Sequence, residues 1–110
     1  MALIVDGVEL ETTEEGFLRD YRQWNERVAE AIASQNDIEL SEAHWEILFF
    51  IRDYYQRFKH LPNARVFTKA VRNELGEDKG NSRYLHKLFP DGPLKFASKC
   101  AGLPKPPTCL

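Results

Sequence analysis

Residues 42–58, EAHWEILFFIRDYYQRF, run without a glycine or a proline and constrain the fold more than any other stretch of the chain. Trp45, Leu48, Phe49, Arg52, Tyr55 and Gln56 follow helical spacing. The breadth of the apolar cluster Ile47, Leu48, Phe50, Ile51, Tyr54 and Phe58 predicts a central, largely buried helix. Ser41 precedes it, where a hydroxyl caps a helix N-terminus.

The rest of the chain is punctuated into shorter elements that can cover that helix. Asn25 caps a helix through about Gln35, with Val28, Ala29, Ile32 and Ala33 on one face. Pro62 and Asn63 break and restart the chain, and ARVFTKAVRNEL runs to Gly76. NSRYLHKLF makes a shorter helix that stops at Pro90-Asp91-Gly92-Pro93. PLKFASKCA is the last helix, with Pro93 in its first turn and Gly102 just past its end. At the other end, LIVDGVEL has two short apolar runs around Asp6-Gly7, the signature of a type I′ hairpin. A two-stranded hairpin is marginal alone, so it lies on the helical body. TTEEGFLRDYRQW is a loop with a short helical turn, interrupted by Gly16. The fold class is therefore mainly α (α+β): a compact helical bundle with a small N-terminal β-hairpin and an extended, flexible C-terminal arm. Residues 1–102 form the single domain and residues 103–110 the arm.

At 110 residues the chain can bury one core but not a deep catalytic cleft. No apolar run approaches the roughly 20 residues of a membrane span. The opening MALIVDGVEL lacks the basic start and long apolar stretch of a signal peptide, so the expected location is the cytoplasm, where thiols stay reduced. The net charge of -2 conceals an asymmetry: residues 1–78 carry nine Lys/Arg against sixteen Asp/Glu, whereas residues 79–110 carry six against Asp91 alone. A basic end on an acidic body fits an acidic or anionic partner for the tail region.

Most familiar chemistries find no support. His44, His60 and His86 show no ligand spacing with one another or with the cysteines, so no metal is expected. The carboxylates are scattered, and GEDKGNS is too loose for a phosphate loop, so no cofactor is expected either. FKHLPNARVFTKAVRNELG could form a helix-turn-helix carrying Arg65, Lys69 and Arg72. Its acidic neighbours and the overall pI of about 5.9 tell against direct nucleic-acid binding.

The thiols remain. Cys100 falls inside the last helix among Phe96, Ala97 and Ala101, and is expected to be a small buried hydrophobe. Cys109 follows PKPPT, which cannot continue a helix and favours an extended course. From Gly102 to Cys109, at about 3.1 Å per residue, the thiol could stand roughly 20 Å from the helix end. Proline stiffness lowers the entropy lost when such an arm enters a partner's pocket. Neighbouring lysines favour an anionic sulfur, and the carboxylate of Leu110 opposes it.

The stretch GNSRYLHKLFPDGPLKFASKCAGLPKPPTCL, with VDG and EEGFL near the start and HWEIL, IRDYY and TKAV between, resembles the TusE/DsrC family of sulfur-carrier proteins over essentially the whole chain. The resemblance implies a helical domain whose arm carries sulfur as a persulfide on the penultimate cysteine, here Cys109. It implies a sulfurtransferase in the carrier sense, with no stand-alone turnover. TusE-type members receive sulfur from the TusBCD complex and pass it to the tRNA 2-thiouridylase that modifies wobble uridine. DsrC-type members serve dissimilatory sulfur metabolism, with DsrEFH-like donors and the sulfite reductase DsrAB as partners, and use a second, upstream cysteine. That second cysteine lies eleven positions before the penultimate one, which is Ser98 in this chain. Cys100 is two residues later, about 200° around a helix, and is no straightforward substitute. The resemblance is therefore closest to the single-cysteine TusE type. Arg83, Lys95, Lys99 and Lys105 are the candidates for docking acidic partners or stabilising the anionic sulfur.

Overall fold

The computed structural model describes residues 2–107, and Cys109 lies outside them. The first two elements are the strands β1, Ala2–Val5, and β2, Val8–Glu11, paired antiparallel with Leu3 opposite Leu10 and Val5 opposite Val8. Asp6 and Gly7 both take positive φ (51° and 81°), as a type I′ turn requires. Leu3, Val5 and Leu10 are buried and Ile4, on the opposite face, is exposed, the period of two expected of a hairpin lying on a body; Val8 shares the face of Leu10 but stays open to water beside the turn. Arg27 grips Asp6 at 2.8 Å and ties the turn to the first helix.

A short 3-10 turn at Tyr21–Gln23 leads into α1, Glu26–Gln35, followed by α2, Glu42–Phe58, and α3, Ala64–Leu75. Two short helices complete the bundle: α4, Ser82–Leu88, and α5, Pro93–Cys100. Asparagine caps recur because each carbonyl accepts an otherwise unpaired N–H of the first turn: Asn25 from Val28, Asn63 from Val66 and Asn81 from Tyr84. At α2 the cap is built differently. The Ser41 N–H donates to His44 Nδ1 at 3.1 Å, which leaves the proton on Nε2, and Nε2 donates to the Leu88 carbonyl at 2.8 Å. His44 thus fastens the start of α2 to the end of α4, with Phe89 edge-on against its ring.

The helical boundaries follow the sequence pattern, but the order of burial does not. The outer half of α2 is open to water, with Phe58 50% exposed, and only His44, Ile47, Leu48 and Ile51 are buried. The most enclosed helix is α5, which packs against α1, α2, α3 and α4. Its buried positions Leu94, Ala97, Ser98 and Cys100 lie on more than one side. Cys100 and Ser98 are both fully buried, so their opposed directions on the helix bring neither to the surface. Glycine makes one further close approach possible: a Cβ on Gly80 would stand 2.1 Å from the Arg72 Cα. Arg72 in turn donates from Nε to the Gly80 carbonyl at 3.1 Å, so this cation of the helix-turn-helix reading is engaged in holding the α3–α4 connection.

Candidate functional site

The C-terminal end of α5 is where the chain turns toward its arm, and every backbone carbonyl there has a partner. Gly102 adopts φ +71°, the left-handed conformation that ends a helix in a Schellman motif. Its N–H reaches the Lys99 carbonyl at 3.1 Å, and the Leu103 N–H reaches that of Ser98 at 3.0 Å. The next two carbonyls are taken from outside the helix. Trp24 Nε1 donates to Cys100 O at 2.9 Å, and Arg52 Nη1 donates to Ala101 O at 2.8 Å.

Trp24 and Arg52 also hold each other. The guanidinium lies 4.3 Å from the Trp24 ring centre, and Nη1 makes a longer bond to the Tyr21 carbonyl at 3.3 Å. Partial burial pushes the Arg52 pKa down. A cation at a helix C-terminus also meets the negative end of the helix dipole.

A second group gathers beside this end. The EEGFL loop is folded by the Thr13 N–H bonding to Phe17 O and the Gly16 N–H bonding to Thr13 O, which drives Phe17 into the interior. Glu15, at the loop tip, receives Lys105 Nζ at 3.0 Å on both carboxylate oxygens. Gly16 leaves room for Lys99, whose Cε would be 3.0 Å from any added Cβ. Lys99 Nζ lies 5.7 Å from the Phe17 ring and 5.5 Å from that of Phe96, and donates to Asn36 Oδ1 at 3.2 Å. Burial, reinforced by Lys95, lowers the Lys99 pKa, while the hydrogen bond from Lys105 holds Glu15 below the usual carboxylate range.

Of the basic residues singled out in the sequence, Lys95, Lys99 and Lys105 therefore share one neighbourhood around Glu15. Arg83 stands exposed on α4 and takes no part in it. The arm also clings to the body for longer than its prolines imply. Leu103 is fully buried, Pro106 is buried and Lys105 is tied to Glu15, so the chain stays on the domain past Gly102.

The family model described as "DsrC like protein" matches residues 4–110. The chain belongs to the DsrC-like family of sulfur carriers. It is 53% identical over 108 residues to a protein of Haemophilus influenzae named "Sulfurtransferase TusE homolog", covering 98% of this chain and 99% of that one. Sulfurtransferase TusE of Escherichia coli is 51% identical with the same coverage. Among solved structures, Allochromatium vinosum DsrC matches with a TM-score of 0.91 and 47% identity over the whole of both chains.

A sulfur carrier of this family needs an available thiol, and Cys100 is not one. Its side chain is fully buried, and burial pushes its pKa up to about 12 against the partial opposition of Lys99. At neutral pH it is overwhelmingly a protonated, enclosed hydrophobe. Ser98 is equally enclosed, and its hydroxyl has no hydrogen-bond partner among the described residues.

Sequence reasoning missed Trp24, Arg52 and Glu15. Glu15 lies ninety positions from Lys105, and Trp24 seventy-six from Cys100, so no local spacing connects either pair. The visible signal was Gly102. A Cβ there would fall 2.4 Å from Trp24 Cδ1, so the glycine marks a close approach as well as a helix stop.

Proposed function

We propose that the chain accepts sulfur as a persulfide on Cys109 and passes it to a downstream enzyme, in the pathway that builds 2-thiouridine at the tRNA wobble position. The observation that carries this reading is the enclosure of Cys100, which removes the other cysteine of the chain from exchange. In the loading step the Cys109 thiolate attacks the outer sulfur of a donor persulfide. The donor's S–S bond breaks, its cysteine leaves as a thiolate, and Cys109 becomes the persulfide with no net oxidation. Delivery is the same exchange in reverse order, with an acceptor thiolate attacking the outer sulfur.

The 51–53% identity to proteins named sulfurtransferase TusE supports a TusBCD-like donor complex and a tRNA 2-thiouridylase as acceptor. Ser98, in place of a second cysteine, favours the same branch. Lys95, Lys99 and Lys105 form the basic side of the arm root and fit docking to an acidic partner, with Arg83 a separate contact on α4. No helix among the described residues is long and apolar enough to cross a membrane, and persulfide chemistry on a reduced thiol suits the cytoplasm.

A second reading draws support from the fold match to Allochromatium vinosum DsrC: a carrier for a DsrAB-like sulfite reductase. Mass spectrometry separates the two after incubation with a cysteine desulfurase, its relay proteins and cysteine. One sulfur should be added, Cys100→Ser should retain it, and Cys109→Ser should lose it. Sulfur that survives in Cys109→Ser overturns the assignment. A Cys100–Cys109 disulfide on mild oxidation would favour the sulfite-reductase branch.

A further inference from the structure

Trp24 and Arg52 together close the C-terminal end of α5. The last carbonyls of a helix have no partner within it and ordinarily turn to water. Here the Schellman turn uses those of Ser98 and Lys99, and two long side chains close over the remaining ones, Cys100 and Ala101. The Trp24 indole is also the surface on which Gly102 lies. Arg52 is partly buried yet has no carboxylate partner among the described residues; carbonyls and aromatic faces receive it instead. Two elements remote in sequence, the 3-10 turn and α2, thus converge on the residue pair at which the arm leaves α5.

We infer that Trp24 and Arg52 form a positioning clamp that fixes the direction in which the chain leaves α5, and so the course over the domain from which the sulfur-bearing arm departs. This rests on the carrier function proposed above. When the helical body docks on an acceptor, the arm has to find the acceptor's thiol as a tethered reactant, and its effective concentration there depends on where the tether starts and points. A fixed turn at Gly102 aims the following residues, with Leu103 and Pro106 buried and Lys105 on Glu15, along one course and so confines the arm to a narrow set of approaches. A loosened exit leaves the persulfide chemistry intact but spreads the arm over unproductive ones. Among the described residues both side chains hold the backbone at the root of the arm, which is the role of positioning residues.

Trp24→Phe keeps an aromatic ring but removes the N–H donor with part of the indole surface, and Arg52→Met keeps the stem and removes the donors and the charge. Full-length variants are loaded with inorganic polysulfide, whose outer sulfur is attacked by the Cys109 thiolate, releasing a polysulfide one sulfur shorter. Two acceptors are then compared. Cyanide removes the outer sulfur as thiocyanate and returns the Cys109 thiolate, with no need for arm placement. The tRNA 2-thiouridylase must receive the arm. Cyanide should react with both variants within about twofold of the wild type, whereas kcat for transfer to the enzyme should fall about tenfold with KM kept within about twofold. Hydrogen exchange should show the Gly102 and Leu103 amides losing protection while those of Ile47 and Leu48 keep theirs. Arg52→Lys, which restores a charged donor, should recover part of the lost kcat.

Equal losses with cyanide and enzyme, matching a loss of folded protein, would reduce the pair to a structural role and overturn the inference. So would an unchanged kcat in a variant whose Gly102 and Leu103 amides exchange faster. If the wild type itself delivers nothing to the thiouridylase, the acceptor assignment fails instead. Unaltered exchange at Gly102 and Leu103 would then still refute the clamp.

Discussion

Helices α2 and α5 invert the relation between apolar content and burial. Helix α2 has 17 residues rich in large apolar side chains, yet Phe49 and Phe58 remain about half exposed, at 48% and 50%. Helix α5 has 8 residues, two of them lysines, and is covered by all four other helices. What separates them is side-chain size at the contact. Ala97, Ser98 and Cys100, continued by Ala101 and Gly102, let neighbouring helices approach closely from several sides, whereas the bulky stripe of α2 holds neighbours to one face. The short helix becomes a fixed post from which an arm can work, and the long one keeps an outer half in water.

The largest effect should come from filling that close contact. Ala97→Leu places three extra carbons where exposure is 0%, so neighbouring helices must separate or side chains leave their rotamers. A destabilisation of about 3 kcal/mol is expected in urea unfolding. A loss below about 0.5 kcal/mol would mean that α5 is not the tightly enclosed element.

Next comes Gly102→Ala. The left-handed φ of +71° is unfavourable for alanine, and the new Cβ would fall 2.4 Å from Trp24 Cδ1, so the indole has to move as well. About 2 kcal/mol is expected, with Trp24 fluorescence changing in the folded state. Loss of stability without any change at the indole would separate backbone strain from the proposed clamp.

These two positions also show what a single sequence can disclose. Every helix start was visible because its determinants are local: Asn25, Ser41, Asn63 and Asn81 precede apolar periodicity, and Pro93 fits a first turn. The hairpin was visible because Asp6-Gly7 supplies its own turn geometry. Burial was misjudged for α2 because apolar pattern records which face can be covered, not how many neighbours arrive to cover it. At the arm root, Lys95, Lys99 and Lys105 were found through composition. Glu15, Trp24 and Arg52 were not, because their roles exist only after the chain has brought residues far apart in sequence together.

Alkaline pH offers a third test of the enclosure. The Cys100 thiol has a folded-state pKa of about 12 against an ordinary 9.0, so the folded protein holds this proton more tightly than the unfolded chain. Below pH 9 both states keep it, and the contribution is fully present. As pH rises from 9 toward 12 the unfolded chain releases the proton first, and stability falls. Cys100→Ala should remove this part of the alkaline slope in unfolding curves measured side by side. Identical slopes in the two proteins would mean that Cys100 reaches solvent.

Ser98→Ala should act in the opposite direction. The hydroxyl is fully buried without a hydrogen-bond partner among the described residues, and an unpaired buried polar group is costly. Removing it should stabilise the fold by about 1 kcal/mol. Destabilisation would indicate that the hydroxyl is paired in solution.

The smallest effect is expected at the far end of the comparison. Phe58 closes α2 with its ring 4.6 Å from that of Tyr54 and the Arg57 guanidinium 5.6 Å away, all local contacts within one turn. Half of its surface stays in water, so truncation creates no cavity and exposes little that was covered. Phe58→Ala should therefore change the urea midpoint by an amount worth less than about 0.5 kcal/mol, despite removing about six times as many heavy atoms as Ser98→Ala removes. A cost above about 1.5 kcal/mol would place the outer half of α2 inside the cooperative core. The contrast with α5 would then rest on side-chain size alone and no longer on exposure.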